Sequence, residues 1–153
     1  MSDQIFFKFE LVNNGTAYEV SRGTKKSDEV AGAILIPESH EGKPVIKIAE
    51  KGFFMCQKLT SVTIPESVEV IGKNAFASCH DLENVVINYG VKEIEEAAFH
   101  FCRKVKAIVI PDSVNTIGNS AFYDCKELAD VTMPENVKMG GMVFYNCKFK
   151  LKK

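Results

Sequence analysis

The sequence has almost no excess of charge of either sign, with a formal net charge of −1 at pH 7. Domains that bind nucleic acid or anionic membranes through electrostatics carry clustered positive charge, so neither partner is expected. No apolar run approaches the roughly 18–20 residues of a membrane span, so no membrane insertion is expected. The first residues lack the basic and apolar regions of a secretory signal. The compartment stays open: a cytoplasmic protein, a trimmed leader and another export route all fit.

Motifs for catalysis, phosphate binding and metal binding are also absent. The chain contains no G-x-S-x-G, no P-loop and no G-x-G-x-x-G. Zinc sites usually begin with two cysteines two to four residues apart, and no such pair occurs. His80 follows Cys79 and His100 precedes Cys102, but the repeat described next places the cysteines inside and the histidines outside. We therefore expect no catalytic residue, no metal and no cofactor, and we predict that the protein is not an enzyme.

The chain instead contains a repeat. Cys56, Cys79, Cys102 and Cys125 are each 23 residues apart, and Cys147 follows after 22. Aromatic and aliphatic residues recur at fixed distances from these cysteines, including Phe53, Phe76, Phe99, Phe122 and Phe144 three positions before them and Leu59, Leu82, Val105 and Leu128 three positions after them. Self-similarity at a period of about 20–50 residues is typical of a solenoid. A chain of 153 residues has the size of one domain.

One rung of the solenoid can be predicted from its columns. Residues 59–64 end in alternating apolar positions, which predicts a strand with one buried face. Pro65 has no N–H to donate and ends the strand. Residues 68–71 predict a second short apolar segment, and Gly72 permits a bend. Residues 73–79 have the apolar spacing of one or two helical turns. Each rung therefore has a strand and a short helical turn, and stacked rungs bury a shared core.

The five cysteines occupy one column between a core phenylalanine and a core leucine. Rungs about 5 Å apart bring neighbouring cysteines within the range that a disulfide allows, so distance does not exclude one. Side chains in a stacked column point in parallel, however, and an odd number leaves one cysteine over. Free cysteine is among the most buried residue types. We predict a ladder of buried free thiols.

The repeat resembles a known family. The pattern IG-x-x-AF-x-x-C-x-x-L-x-x-V-x-IP is present as Ile71-Gly72, Ala75-Phe76, Cys79, Leu82 and Val85, and it is similar to the BspA-like leucine-rich repeats over residues 33–149. The sequence departs from the pattern at Asn88 in place of proline, at Glu95 in place of glycine, and by one missing residue near 139–141. The resemblance implies a right-handed leucine-rich-repeat solenoid with one strand per rung. It also implies protein binding, often by an adhesin at the cell surface.

The first 30 residues do not repeat. Phe7, Phe9 and Leu11 alternate before Asn13-Asn14-Gly15, and Asn-Gly between alternating runs is a strong hairpin signal. A hairpin over residues 5–21 would cover the open apolar end that every solenoid has. We predict residues 1–30 as an N-terminal β-hairpin cap and residues 31–153 as about five repeats, which together form one domain.

Residues between the core positions of each strand are predicted to face outward and to align across rungs. They are Ser61, Thr63, Asn84, Val86, Ala107, Val109, Asp130 and Thr132. This row is small, weakly polar and nearly free of charge. It has two interpretations: the residues are simply good strand formers, or they form a flat surface that binds another protein of unknown identity.

A second outward stripe follows the core phenylalanines. It consists of Phe54, Ala77, His100, Tyr123 and Tyr145, beside Met55, Ser78, Phe101, Asp124 and Asn146. Regularly spaced aromatic residues of this kind suggest either a docking patch or half-buried packing between adjacent rungs, and packing is the preferred interpretation.

The C-terminal residues 148–153 contain four lysines and stop where another strand would begin. They indicate either a nucleic-acid tail or, as we prefer, protection of an open strand edge. The predicted function is a non-catalytic protein–protein interaction module, for which the resemblance implies an adhesin-like role. The alternative is a structural unit that self-associates, as a homodimer, through the uncapped C-terminal end.

Overall fold

The computed structural model describes residues 7–151, and the described chain is built almost entirely from short strands and turns. The strands are β1 (Lys8–Val12), β2 (Ala17–Ser21), β3 (Ala31–Leu35), β4 (Ser39–His40), β5 (Lys43–Ile48), β6 (Lys58–Ile64), β7 (Val70–Ile71), β8 (Asn84–Ile87), β9 (Glu93–Ile94), β10 (Ala107–Val109), β11 (Thr116–Ile117), β12 (Asp130–Thr132) and β13 (Lys138–Met139). One 3-10 turn, Ser27–Glu29, precedes β3.

Each rung contributes one strand to each of two faces. The first face carries β3, β6 and β8 as one parallel sheet and β10 with β12 as another. The second face is a long sheet in the order β1-β2-β5-β7-β9-β11-β13, with β4 attached to β5. The predicted leucine-rich-repeat solenoid is confirmed, with about five turns of about 23 residues.

A stack of phenylalanine rings forms the centre of the core. Phe53, Phe76, Phe99, Phe122 and Phe144 lie nearly parallel, with ring centroids 5.3, 5.4, 5.3 and 5.5 Å apart along the stack. Spacings close to that of paired strands show that each ring packs directly on its counterpart in the next rung. The 23-residue period of the sequence therefore becomes a column of one residue type in space.

The short helical turn predicted for each rung is not confirmed, because residues 73–79 form successive tight turns instead. Asn74 and Ser78 have φ of 56° and 61°, a left-handed conformation that interrupts a right-handed helix. The N–H of Ala75 donates to Gly72 within the rung, whereas the N–H of Phe76 donates to Ala98 of the next rung at 2.8 Å. These turns therefore form a third hydrogen-bonded face of the solenoid, the turn face.

The predicted N-terminal hairpin is present over the described residues, whereas residues 5 and 6 lie outside them. β1 pairs antiparallel with β2, and the connecting turn places Asn13, Asn14 and Gly15 at positive φ. β2 then pairs parallel with β5, so the hairpin extends the long sheet. Phe7 packs edge-on against the first ring of the stack, Phe53, at 6.1 Å. The role of residues 1–30 as a cap, and the division at residue 30, stay predictions.

Candidate functional site

The first face of the solenoid, formed by β3, β6, β8, β10 and β12, is called the strand face. It presents the predicted outward residues at the surface. The parallel register pairs Ser61 with Asn84 and Thr63 with Val86, and it pairs Val109 with Thr132. Ser61 and Thr63 are partly exposed and the other six predicted residues are exposed. The structure therefore brings the eight residues to one surface, in two groups. Whether they bind a partner stays a prediction.

The ladder of the strand face is interrupted between β8 and β10. Among the described strands of this face, β3–β6, β6–β8 and β10–β12 are paired, whereas β8 and β10 are not. The same two rungs are joined on the other faces: the N–H of Gly118 donates to Ile94 at 2.7 Å, and the N–H of Phe99 donates to Ala121 at 2.8 Å. The two rungs therefore lose their ladder pairing only on the strand face, where β8 and β10 stay neighbours.

A cleft occupies this interruption. Its volume is about 360 Å³, and it is lined by Val85, Val86, Ile87, Ala107, Ile108 and Val109. The exposed side chains of Val86 and Val109 flank it, at 47% and 63% exposure. Val85 belongs to a core column but is only partly buried, whereas Val62 in the same column is fully buried. The cleft consequently reaches the edge of the core.

Charged residues lie at one end of the cleft. A second, more polar hollow of about 220 Å³ adjoins it and includes Glu83, Lys104 and Lys106. The Lys104 ammonium lies 2.8 Å from a carboxylate oxygen of Asp81, in the preceding rung. Neither Glu83 nor Lys106 forms an ion pair with another described residue. The cleft thus has an apolar middle and one end with both signs of charge.

The predicted aromatic stripe packs mainly against itself. His100 stacks on Phe101 at 4.0 Å and lies 4.9 Å from Tyr123, which stacks on Tyr145 at 5.0 Å. Burial lowers the pKa of His100, opposed by the negative charge of Asp124. His100 and Tyr123 are partly buried and Tyr145 is exposed. This arrangement agrees with packing between rungs, the interpretation preferred from the sequence.

Asp124 is the buried charged residue of this stripe, and its neighbours hold both carboxylate oxygens. The Nε of Arg103 donates to Oδ2 at 3.2 Å, and the Nδ2 of Asn146 donates to Oδ1 at 2.5 Å. The guanidinium of Arg103 also lies over the ring of Phe101, 5.3 Å from its centroid. A buried carboxylate needs such partners, so this cluster is explained by folding.

The cysteine column is a set of buried free thiols, as predicted. Burial raises the pKa of Cys56 to about 11 and that of Cys102 to about 12. Interaction with the neighbouring Cys125 side chain lowers the pKa of Cys147. Buried thiols with raised pKa values are poor nucleophiles, so the column contributes packing to the molecule.

Within residues 7–151, no group of three or more histidine, cysteine, aspartate or glutamate side chains is arranged to hold a metal ion. None of the helices in that range has the length and apolar character to cross a membrane.

Sequence reasoning missed the cleft. The outward valines at 86 and 109 were visible in the sequence, and Asn88 was visible in the place of proline just after β8. The loss of pairing between β8 and β10 was not visible in the sequence, because every rung repeats the same apolar pattern.

Comparison with known proteins places the fold in context. The family model of the BspA type leucine rich repeat region matches residues 40–152 in six copies. No curated protein matches the chain significantly.

The chain is similar to several solved bacterial structures. A leucine-rich repeat protein of T. pallidum shares 33% identity over 94% of this chain and 66% of its own length, with a TM-score of 0.87. A leucine-rich repeat protein from Bacteroides ovatus shares 26% identity over 94% of this chain and 44% of its own length, with a TM-score of 0.68. A leucine rich cell surface protein of Faecalibacterium prausnitzii shares 26% identity over 95% of this chain and 46% of its own length, with a TM-score of 0.66.

This chain therefore spans 66% of the T. pallidum protein and less than half of the other two. Because the family model covers most of the chain in the same repeats that form the solenoid, the chain belongs to the BspA-type leucine-rich repeat family.

Proposed function

We propose that this chain is a non-catalytic module that binds another protein through its strand face. The observation that carries the proposal is the surface formed by the outward residues of β6, β8, β10 and β12, with exposed Val86 and Val109 at its middle. Strand surfaces of solenoids are their usual binding surfaces. Solenoid rungs hold these side chains in place before binding, so little ordering entropy is lost when a partner docks.

An adhesin-like role at the cell surface is part of this proposal. Its support is the similarity to a leucine rich cell surface protein of Faecalibacterium prausnitzii. Repeat families of this kind are generally interaction scaffolds, which supports a non-enzymatic role.

Site-specific photocrosslinking tests the strand face. A photoreactive amino acid replaces Val109 in one variant and Lys126, an exposed residue outside the strand face, in a control variant. We expect a defined partner to be crosslinked from position 109 and not from position 126, and the purified partner then to bind the wild-type chain. Equal crosslinking from both positions, or binding unchanged by Val109→Asp, would contradict the proposal.

A second candidate function is self-association through the last described rung. Met142, Tyr145 and Leu151 are 65%, 56% and 47% exposed, and a hollow of about 460 Å³ lies among them. Exposed apolar groups on this scale favour a contact with another surface.

Sedimentation velocity over a wide concentration range under reducing conditions tests this candidate. We expect concentration-dependent association that Met142→Lys weakens, with Leu35→Lys, at an exposed residue of β3, as the matched control. A monomer at every concentration would rule the candidate out.

A further inference from the structure

The hydrogen bonds of the turn face all run in one direction along the solenoid. The N–H of Phe99 donates to the carbonyl of Ala121 in the next rung at 2.8 Å. The N–H of Phe122 donates in the same way to the carbonyl of Val143 at 3.0 Å. Each rung therefore accepts from the rung before it and directs its own row of N–H groups towards the rung after it.

The last described rung leaves such a row open. It consists of the N–H groups of Met142, Phe144 and Asn146, which we call the open donor row, and none of the three donates to another described residue. Met142 and Asn146 have φ of 55° and 60°, and successive N–H groups in turns of this kind form concavities that bind anions. Phe144 is a buried residue, and an unpaired N–H in a buried place is costly unless a ligand accepts from it.

The hollow of about 460 Å³ at the last rung adjoins the open donor row. Met139, Met142 and Leu151 give it apolar walls, with 37%, 65% and 47% exposure. Lys150 gives it a positive charge, and its ammonium donates to the carbonyl oxygen of Cys147 at 2.8 Å. None of the described residues that line the hollow is acidic. The hollow therefore combines hydrogen-bond donors, a positive charge and an apolar surface.

A further stacked rung does not fit the core side of this end. The ring of Phe149 stands edge-on against that of Phe144, with centroids 5.0 Å apart and an interplanar angle of 72°, so it closes the stack of parallel rings. A symmetric dimer through this end would set the N–H groups of one copy against those of the other. The occupant should instead bring acceptors, negative charge and an apolar group.

An ionised carboxylate has acceptors and no donors. An inorganic anion would leave the apolar walls without a contact. A C-terminal residue carries its carboxylate and its side chain on the same Cα, so both can enter one hollow. In aspartate or glutamate the side chain is itself the carboxylate, and a neighbouring residue would have to supply the apolar group.

We propose that the hollow binds the C-terminal carboxylate of a partner polypeptide whose last side chain is apolar. The carboxylate accepts from the N–H groups of Met142 and Phe144, Lys150 supplies the opposite charge, and the side chain lies against Met139 and Leu151. Capture of a terminal carboxylate by main-chain N–H groups is one of the recurring modes of peptide recognition. The inference goes beyond the proposed function, because it assigns a site outside the strand face.

Hydrogen exchange of the free protein tests the open donor row without any partner. The N–H groups of Tyr145 and Cys147 belong to the same rung and donate within it to Met142 and Phe144, so they are the matched reference. The amides of Met142, Phe144 and Asn146 should exchange at least about tenfold faster than this reference. Equal protection of the two sets would show that the row already has acceptors, and it would overturn the proposal.

A peptide titration followed through the amide chemical shifts of the isotope-labelled protein tests the occupant. The probe is acetyl-Gly-Ser-Val-Leu with a free terminal carboxylate, and the control is the same peptide ending in an amide. We expect the probe to shift the resonances of the open donor row and the amide-terminated peptide to bind at least about tenfold more weakly. Inorganic phosphate that shifts the same resonances with equal affinity would show an adventitious anion only and would overturn the proposal.

Variants at two exposed positions test the contacts of the side chains. Met142→Glu places a negative charge beside the donor row and should weaken the probe at least about tenfold. Leu11→Glu is the matched control, because Leu11 is 55% exposed on β1 at the other end of the molecule, and it should leave the affinity unchanged. Lys150→Ala should weaken the probe about threefold, and Lys150→Arg should restore the affinity.

Two further results would overturn the proposal: equal affinity of the acid and amide forms of the peptide, or equal affinity of Met142→Glu and the wild-type chain. Neither result would affect the binding role of the strand face, which crosslinking from position 109 tests separately.

Discussion

The Sγ of Cys102 donates to the carbonyl oxygen of Phe76 at 3.1 Å, across 26 residues of sequence. The same contact joins Cys79 to Phe53 at 3.2 Å, Cys125 to Phe99 at 3.1 Å and Cys147 to Phe122 at 3.1 Å. Cysteine therefore serves two purposes in this column. It fills the core as a small apolar side chain, and it gives a buried carbonyl of the preceding rung a weak donor.

The thiols should differ in reactivity along the column. Burial raises the pKa of Cys102 to about 12, whereas interaction with the neighbouring Cys125 side chain lowers the pKa of Cys147, the last of the column. The thiolate is the reactive form, so we expect iodoacetamide near pH 8 to label Cys147 first and Cys102 only as the protein unfolds.

Peptide mapping by mass spectrometry, sampled over time, measures this order. Labelling in denaturant gives the reference in which all five cysteines react alike. Native labelling of Cys102 as fast as Cys147 would contradict the expected order.

The stacked ring of Phe99 should be far more important for stability than the ring of Tyr123 beside it. Phe99 is 1% exposed and lies between two parallel rings, whereas Tyr123 is partly exposed. Phe99→Ala should lower the free energy of unfolding by about 3–5 kcal/mol, and Tyr123→Ala by much less. Denaturant unfolding monitored by circular dichroism provides both values. A similar loss of unfolding free energy in the two variants would show that the aromatic stripe is part of the core.

Gly90 should tolerate no side chain. Its φ is 146°, and an added Cβ would lie 2.0 Å from the carbonyl oxygen of Glu66 in the preceding rung. Gly42 has a φ of 79° with nothing within 4 Å, so it isolates the cost of the backbone conformation. We expect Gly42→Ala to cost about 1 kcal/mol, and Gly90→Ala to cost a further 1–3 kcal/mol or so because the two rungs must move apart.

The thermal unfolding midpoints of the two variants give this comparison. Equal midpoints would mean that the approach of the two rungs at Gly90 is not a constraint on the fold.

The stability of the protein should decrease in mild acid because of the protonation of His100. Burial lowers its pKa below the ordinary 6.5, so the unfolded chain binds a proton at a pH where the folded protein does not. The free energy of unfolding therefore falls as the pH drops below about 6.5, until the folded-state pKa is passed.

The slope of stability against pH between 7 and 5.5 measures this effect. His100→Gln removes the titrating group and should flatten that part of the curve. A slope that persists in His100→Gln would assign it to another group.

The solenoid, its columns and its buried thiols could be predicted from the sequence, because a rung that cannot bury its own apolar face must place equivalent residues on one another. Phe53 and Phe76 are 23 residues apart in the chain and 5.3 Å apart as rings for this reason. The hairpin around Gly15 was also predictable, since its turn chemistry is local.

Tertiary structure alone decided two features. The segment at residues 73–79 has the apolar spacing of a helix, but its alternate N–H groups bond to the next rung, and this ladder selects turns with Asn74 and Ser78 in a left-handed conformation. The loss of ladder pairing between β8 and β10 depends on the relative positions of whole rungs. A pattern repeated in every rung contains no information on which pair of neighbours fails to join, so the cleft beside Val86 and Val109 could be found only in three dimensions.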